Sequence, residues 1–333
     1  MTDTTSHPLL RVQDLHIDIH TPTHVKHVVR AVDFTLERGK TLCIVGESGC
    51  GKSLTALALL DLLPAAARRR VARLEFAGQD LASLTPAALA QLRGARIAMI
   101  FQDPMTSLNP VFDIGTQLID VLRRHKRVSR REAAERAEYL LRRVGIANPG
   151  DRMRQYPFEL SGGLRQRVMI AMALMCGPEL LIADEPTTAL DVTVQAELLD
   201  LLRDIQAEFG LGMVFISHDM GLVARIADHV IVMYAGDIVE GGTVRDVLER
   251  PSHPYTSMLL NCIPQPGRTA PRTDLPTISG AVPSLDTPIT GCAFRERCPV
   301  AEPRCSQPFA AAAQQGHRCL CVKPGALRQG VPA

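Results

Sequence analysis

The stretch "TLCIVGESGCGKSLTALALL", residues 41–60, constrains this chain more than any other. An apolar run typical of a buried strand feeds directly into a glycine-rich segment, and a helical pattern starts at once after it. Residues 46–53, "GESGCGKS", fit G-x-x-x-x-G-K-[ST], and the flanking strand and helix are the context that this pattern requires. Glycines let successive backbone N–H groups turn inward around an anion. A helix N-terminus adds roughly half a positive charge at the same place. The residues expected to line the site are Gly46, Glu47, Ser48, Gly49, Cys50, Gly51, Lys52 and Ser53. Lys52 is placed to meet the β- and γ-phosphates of a nucleotide, and Ser53 to ligate Mg²⁺.

A second group of residues fits the same chemistry. In "LLIADE" an apolar strand delivers Asp184 and Glu185 to its carboxyl end, where α/β sheets place their ligands. Asp184 is expected to hold the metal through water, and Glu185 to orient or deprotonate an attacking water. His218 ends the next apolar strand, "FISHD", as a γ-phosphate contact or a positioner of the glutamate. Gln102 follows the strand "IAMIF" and reads as a sensor of the γ-phosphate, reaching both Mg²⁺ and water. Taken singly, each of these residues is commonly structural. Together with a phosphate loop they describe a nucleotide hydrolase.

Bulk properties narrow the setting. With 37 basic and 35 acidic residues in 333, the net charge is +2, without the basic excess of a nucleic-acid binder. No apolar run approaches the about 18 residues of a membrane-spanning helix, and "MTDTTSHPLL" lacks signal-peptide character. A cytosolic chain that can sit against a membrane protein is expected. Of nine cysteines, Cys43, Cys50, Cys176 and Cys262 are scattered, as small buried hydrophobes are. Cys292, Cys298, Cys305, Cys319 and Cys321 crowd the proline-rich tail, a pattern that favours a metal over disulfides in a reducing compartment.

Alternating apolar strands and amphipathic helices predict an α/β fold with a parallel sheet. Strands are expected within residues 30–45, at 97–101, 179–185 and 212–219, and as a pair turned at Ala235-Gly236. A basic helical stretch runs from Gly115 to about Val144, its charges read as a solvated face. After about Pro251 no long periodic segment is evident. One stretch stands out within the helical region. "LSGGLRQR", residues 160–167, places two glycines where a helix resumes, at about 1 kcal/mol each if they lay in its interior.

"GESGCGKS", Gln102, "LSGGLRQR", "LLIADEP", "TALD" (188–191) and "ISHD" occur in the order and spacing of ABC-transporter ATPase subunits, which this chain resembles over roughly residues 10–250. "IFQDPMTSLNP", "ADEPTTALDVTVQAEL", "HPYT" (253–256) and the cysteine-bearing tail extend the resemblance to the dipeptide/oligopeptide permease branch. It implies a P-loop NTPase (ABC ATPase) core with a helical insertion, an antiparallel β subdomain and a C-terminal extension. The implied boundaries are 1–255 for the ATPase domain, with the helical subdomain at about 104–165, and 256–333 for the extension. It also implies head-to-tail pairing, in which Ser161, Gly162 and Gly163 cover ATP bound by the other subunit and Asp191 lies along the seam. The implied partners are a second, related but distinct ATPase chain, two membrane permease subunits and a periplasmic or extracellular peptide-binding protein. The implied location is peripheral, on the cytoplasmic face of the inner (plasma) membrane, energising di- and oligopeptide uptake. A soluble ABC ATPase acting on ribosomes or DNA usually carries two ATPase units or a long coiled coil, and neither occurs here.

The chain departs from the family pattern in places. Leu164 stands where glutamine is commonest, and Leu54 where threonine is usual. The aromatic residue that usually stacks on adenine is missing from "HIDIHTPTHVKHVVRAV", where His20, His24 and His27 are candidate substitutes. Thiolates in the tail suit zinc or an iron–sulfur cluster, and spacing alone does not separate the two. The resemblance implies a [4Fe–4S] cluster held by Cys292, Cys298, Cys305 and Cys319, with Cys321 as an alternative fourth ligand and Zn²⁺ as the alternative metal.

Overall fold

The computed structural model describes residues 7–103, 107–188, 191–263, 276–314 and 316–327. Residues 104–106 of the loop "QDPMTSLNP", and Ala189 and Leu190 of "TALD", lie outside them. The chain divides into two compact units, each assembled from discontinuous stretches.

The first unit comprises Met1–Leu9, Leu36–Lys40 and Phe76–Ile216. Ile97–Ile100 pairs in parallel with Leu180–Asp184, and Leu180–Asp184 in parallel with Gly212–Ser217. Leu180–Asp184 and Gly212–Ser217 are buried at every position, as strands covered on both faces are. The basic stretch from Gly115 folds as two helices, Ile114–His125 and Arg130–Arg143. The break between them is a new helix start. The Ser129 hydroxyl accepts from the Glu132 N–H at 3.2 Å, and the Glu132 carboxylate accepts from the Ser129 N–H at 2.7 Å. Arg130–Arg143 buries Ala133, Ala137, Leu140 and Leu141, a stripe at helical spacing, and leaves its arginines outward. Glu179 joins this unit's segments by accepting from both Arg38 (2.8 Å) and Arg96 (2.5 Å).

The second unit comprises Leu10–Thr35, Thr41–Glu75 and Ser217–Ala333. Thr41–Val45 pairs in parallel with His229–Tyr234, which pairs antiparallel with Asp237–Thr243. The tail adds to this sheet: His317–Cys319 pairs with Asp237–Thr243, and Ala312–Gln314 with His317–Cys319. An antiparallel sheet forms around Leu10–His20, which pairs with Ala67–Arg70. Past Pro251 the structure differs from the sequence expectation, because Pro254–Asn261 is a helix. His253 caps it by accepting from the Tyr255 N–H at 3.1 Å, and Pro254 occupies the first turn, where a missing N–H costs nothing.

Ala235 and Gly236 turn the hairpin with φ of 45° and 91°. Positive φ at both central residues gives the twist that a two-residue hairpin needs. A Cβ on Gly236 would stand 2.3 Å from the Val28 carbonyl oxygen, so only glycine fits. Gly236→Ala should lower unfolding free energy by about 2–4 kcal/mol, measured as a fall in the urea midpoint. Ala235→Gly should stay within about 1 kcal/mol of the parent, because relieved backbone strain offsets the added chain entropy.

Candidate functional site

In the second unit, residues 46–51 form a loop between the buried strand Thr41–Val45 and the helix Lys52–Leu59. Gly46, Gly49 and Gly51 have φ of 152°, 81° and 101°. Side chains at two of them are excluded by neighbours as well. A Cβ on Gly46 would meet the Met233 carbonyl oxygen at 2.2 Å, and one on Gly51 the Val29 side chain at 2.8 Å. Lys52 is buried, and its Nζ donates to the carbonyl oxygens of Gly46 (2.8 Å) and Glu47 (3.0 Å). The ammonium is thus folded back over the loop, with its charge held among carbonyl oxygens. Cys50 packs beneath, buried, with its thiol raised by that burial. Ser48 is exposed, and the half-buried Ser53 follows Lys52 at the start of the helix.

In the first unit, Leu180–Asp184 carries the acidic pair to its end. Asp184 is buried, and Glu185 has φ of 46°, a left-handed conformation that costs a side-chain-bearing residue roughly 1 kcal/mol. Two bonds fix its side chain. Glu185 Oε2 accepts from Gln102 Nε2 at 2.9 Å and from the Thr188 hydroxyl at 3.1 Å. Its N–H donates to the Ile216 carbonyl at 3.1 Å. Backbone strain held by surrounding bonds is a mark of functional positions. Gln102 and Glu185, 83 residues apart, are therefore direct partners. His218, in the second unit, is exposed immediately after Gly212–Ser217.

The glycines of "LSGGLRQR" are the first two residues of the helix Gly162–Leu174. Ser161 is the N-cap, its hydroxyl accepting from the Leu164 N–H at 3.4 Å. A Cβ on Gly162 would meet nothing within 4 Å, so this helix start opens to free space. The following arginines anchor it from behind. Arg165 donates to the Pro157 carbonyl (2.7 Å), and Arg167 to the Val144 carbonyl (2.7 Å) and Glu197 (3.0 Å). Asp191 caps the helix Val192–Phe209, accepting from the Val194 N–H at 3.0 Å. Of the candidate adenine contacts, His24 bonds Asp286 at 2.7 Å and His27 bonds Asp18 at 2.6 Å, while His20 is exposed at a strand end.

Four of the five tail thiols converge. Cys292, Cys298, Cys305 and Cys321 line one small pocket together with His253. Cys319 is not among the lining residues; it lies in the strand His317–Cys319, opposite Glu240 and Ala312. Burial, and secondarily the neighbouring thiols, push Cys292 up to about 11. Burial pushes His253 down to about 3, so its imidazole is neutral. Its Nδ1 accepts from Tyr255, which leaves the proton on Nε2, 3.9 Å from the Cys292 sulfur. Among the described residues no group of three or more His, Cys, Asp or Glu side chains is arranged to hold a metal ion.

Sequence reasoning passed over Thr188 as a partner of Glu185, and Tyr255 and Arg297 as partners of Glu47. One signal was present: a carboxylate inside an anion-binding loop requires a nearby cation. No spacing rule points to one 250 residues away.

Comparison with known proteins agrees with this arrangement. Residues 29–188 match the "ABC transporter" family, and residues 239–305 the "Oligopeptide/dipeptide transporter, C-terminal region". A probable peptide ABC transporter ATP-binding protein of Sinorhizobium fredii is 50% identical over 316 residues, 94% of each chain. The dipeptide transport ATP-binding protein DppD of Bacillus subtilis is 47% identical over 292 residues, 87% of each chain. Among solved structures, cbiO1 of Clostridium perfringens, part of the ABC transporter complex cbiONQ, superposes with a TM-score of 0.63. It is 26% identical, over 73% of this chain and 91% of that one. A fold of P-loop ATPase type, both family matches and near full-length likeness at half identity lead to one conclusion: the chain belongs to the ATP-binding subunits of ABC transporters and is an ATP-hydrolysing enzyme of that family.

Proposed function

We propose that the chain energises the import of di- and oligopeptides from the cytoplasmic face of the inner (plasma) membrane. Backbone N–H groups of residues 46–51 and the Lys52 ammonium hold the ATP phosphates. Ser53, Asp184 and Gln102 present the hard oxygen donors that suit Mg²⁺. That ion, when bound, neutralises charge on the β- and γ-phosphates. Glu185 accepts the proton of the attacking water, and His218 bonds the γ-phosphate. The observation that carries this chemistry is the Glu185 carboxylate, held by Gln102 and Thr188 on a strained backbone at the end of a buried strand. The peptide reading is supported by the names of full-length relatives and by the matched C-terminal region.

The partners follow from surfaces a lone chain leaves open. Ser161, Gly162 and Gly163 form a helix start that is open at Gly162, and the ligand it suits is the ATP held by a second ATPase subunit, with Asp191 at the shared seam. Phe101, Val111, Phe112, Tyr156 and Phe158 are large apolar side chains facing solvent in the first unit, as expected of a surface that receives a cytoplasmic helix of one of the two permease subunits. A peptide-binding protein outside the membrane completes the importer. The ATPase domain is taken as residues 1–255, with a helical subdomain at about 104–165, and the extension as 256–333. Cys292, Cys298, Cys305 and Cys321 would hold an iron–sulfur cluster. The convergence of four thiols on one pocket supports a thiolate-held centre, [4Fe–4S] by resemblance to the permease branch, with Zn²⁺ as the alternative.

Glu185→Gln should keep ATP binding and lower turnover in the assembled transporter by at least about 100-fold, the range of a lost general base. Lys52→Ala should lose turnover through lost binding. Normal hydrolysis by Glu185→Gln would remove the base assignment. Loss of labelled dipeptide uptake in a deletion strain, restored by the parent gene and not by Glu185→Gln, tests the transport role. For the tail, anaerobically purified Cys321→Ser should lose its iron and sulfide, and Cys319→Ser should retain them. Stoichiometric zinc in a colourless parent protein would overturn the cluster.

A further inference from the structure

Glu47 is an anomaly. It puts a negative charge at the second position of a loop built to bind phosphates. Its carboxylate is met by Arg297, from the cysteine-bearing tail, in a two-pronged pair: Nη1 to Oε2 at 2.8 Å and Nη2 to Oε1 at 3.2 Å. The Arg297 side chain is 7% exposed, and all five of its N–H donors are used. Besides Glu47 they reach the Tyr234 hydroxyl (3.2 Å) and the carbonyls of Ile278 (3.0 Å) and Ser279 (3.0 Å). The rings of Tyr234 and Phe294 lie against the guanidinium (5.7 and 5.9 Å), and these two and Tyr255 pack on one another at 4.7–5.2 Å. Tyr255 also touches the loop, its hydroxyl oxygen accepting from the Glu47 N–H at 3.0 Å.

Residue 47 is thus fixed by its backbone and by its side chain, both from segments C-terminal to residue 250. Its own carbonyl accepts from Lys52 Nζ, so the position of Glu47 sets part of the position of the phosphate-binding ammonium. We infer that Arg297 is a positioning residue of the phosphate loop, which cancels the Glu47 charge and fixes Glu47 so that the C-terminal extension sets the affinity for ATP. The inference rests on the reading that residues 46–53 hold the phosphates. A fork with every donor used is a role that lysine cannot fill. A carboxylate left uncompensated beside a polyphosphate repels it.

Equilibrium titration of the full-length chain with Mg·ATP tests this. Arg297→Ala should raise the Kd for ATP about tenfold, the range for an unpaired charge in a partly buried site. Adding Glu47→Gln to that variant should bring the Kd back to within about threefold of the parent, because the stranded charge is gone. A merely structural arginine would not be rescued by altering a loop residue. Arg297→Gln, which keeps side-chain bulk and an amide donor, gives the same comparison if the alanine variant fails to fold. A Kd within twofold of the parent in either folded single variant, or a double variant as weak as the single, overturns the inference. Lys52→Ala in the same titration separates the two readings. If it binds ATP normally, the loop is not the phosphate site. If it does not bind while Arg297 variants are unaffected, only the role of Arg297 fails.

Discussion

The inward-turned phosphate loop exists only because three of its positions carry no side chain. Gly46, Gly49 and Gly51 occupy backbone conformations that other residues reach at a cost, and at Gly46 and Gly51 neighbouring atoms fill the space a Cβ would take. Those neighbours, Met233, Val28 and Val29, belong to strands of two sheets, so the surrounding strands fix the loop as much as the loop's own sequence does. Lys52, held on the loop carbonyls, adds a cation in the same place. The proposed anion site is thus prepared by tertiary packing, and the negative charge that Glu47 brings to it is answered from the far end of the chain.

The helix start at Ser161–Gly163, proposed to meet a partner's ATP, has the opposite character. It opens to free space and is braced from behind by arginine bonds to backbone carbonyls. One nucleotide per chain leaves it without a ligand of its own. The proposed pairing gives each site its use: one subunit holds the phosphates, and its partner's helix start closes over them. Near-zero net charge fits this arrangement, since attraction is confined to two local sites and not spread over the surface.

Much of this was legible in the sequence because the chemistry is local. Strand, loop and helix around residues 41–60, the Asp184-Glu185 pair at a strand end and the hairpin at Ala235-Gly236 each depend on residues within about ten positions of one another. The misreadings have two sources, short local caps and long-range contacts. A single basic helical stretch reads smoothly from Gly115 to Val144, yet the Ser129–Glu132 capping box restarts it. Pro254–Asn261 is too short for its periodicity to stand out, and it is held by the buried Tyr255 and its His253 cap. Cys319 and Cys321 are equivalent by spacing; Cys319 ends a paired strand, Cys321 lies beyond it, and only Cys321 lines the pocket. Nothing in the order of residues pairs Arg297 with Glu47.

ATPase rate per chain, followed as subunit concentration falls, tests most directly whether ATP is held by one subunit and closed over by another. The expected rate per chain rises with concentration, levels off once subunits pair, and collapses in Ser161→Arg even though that variant keeps its own phosphate loop intact. A constant rate down to the isolated monomer, indifferent to the change at Ser161, would contradict it.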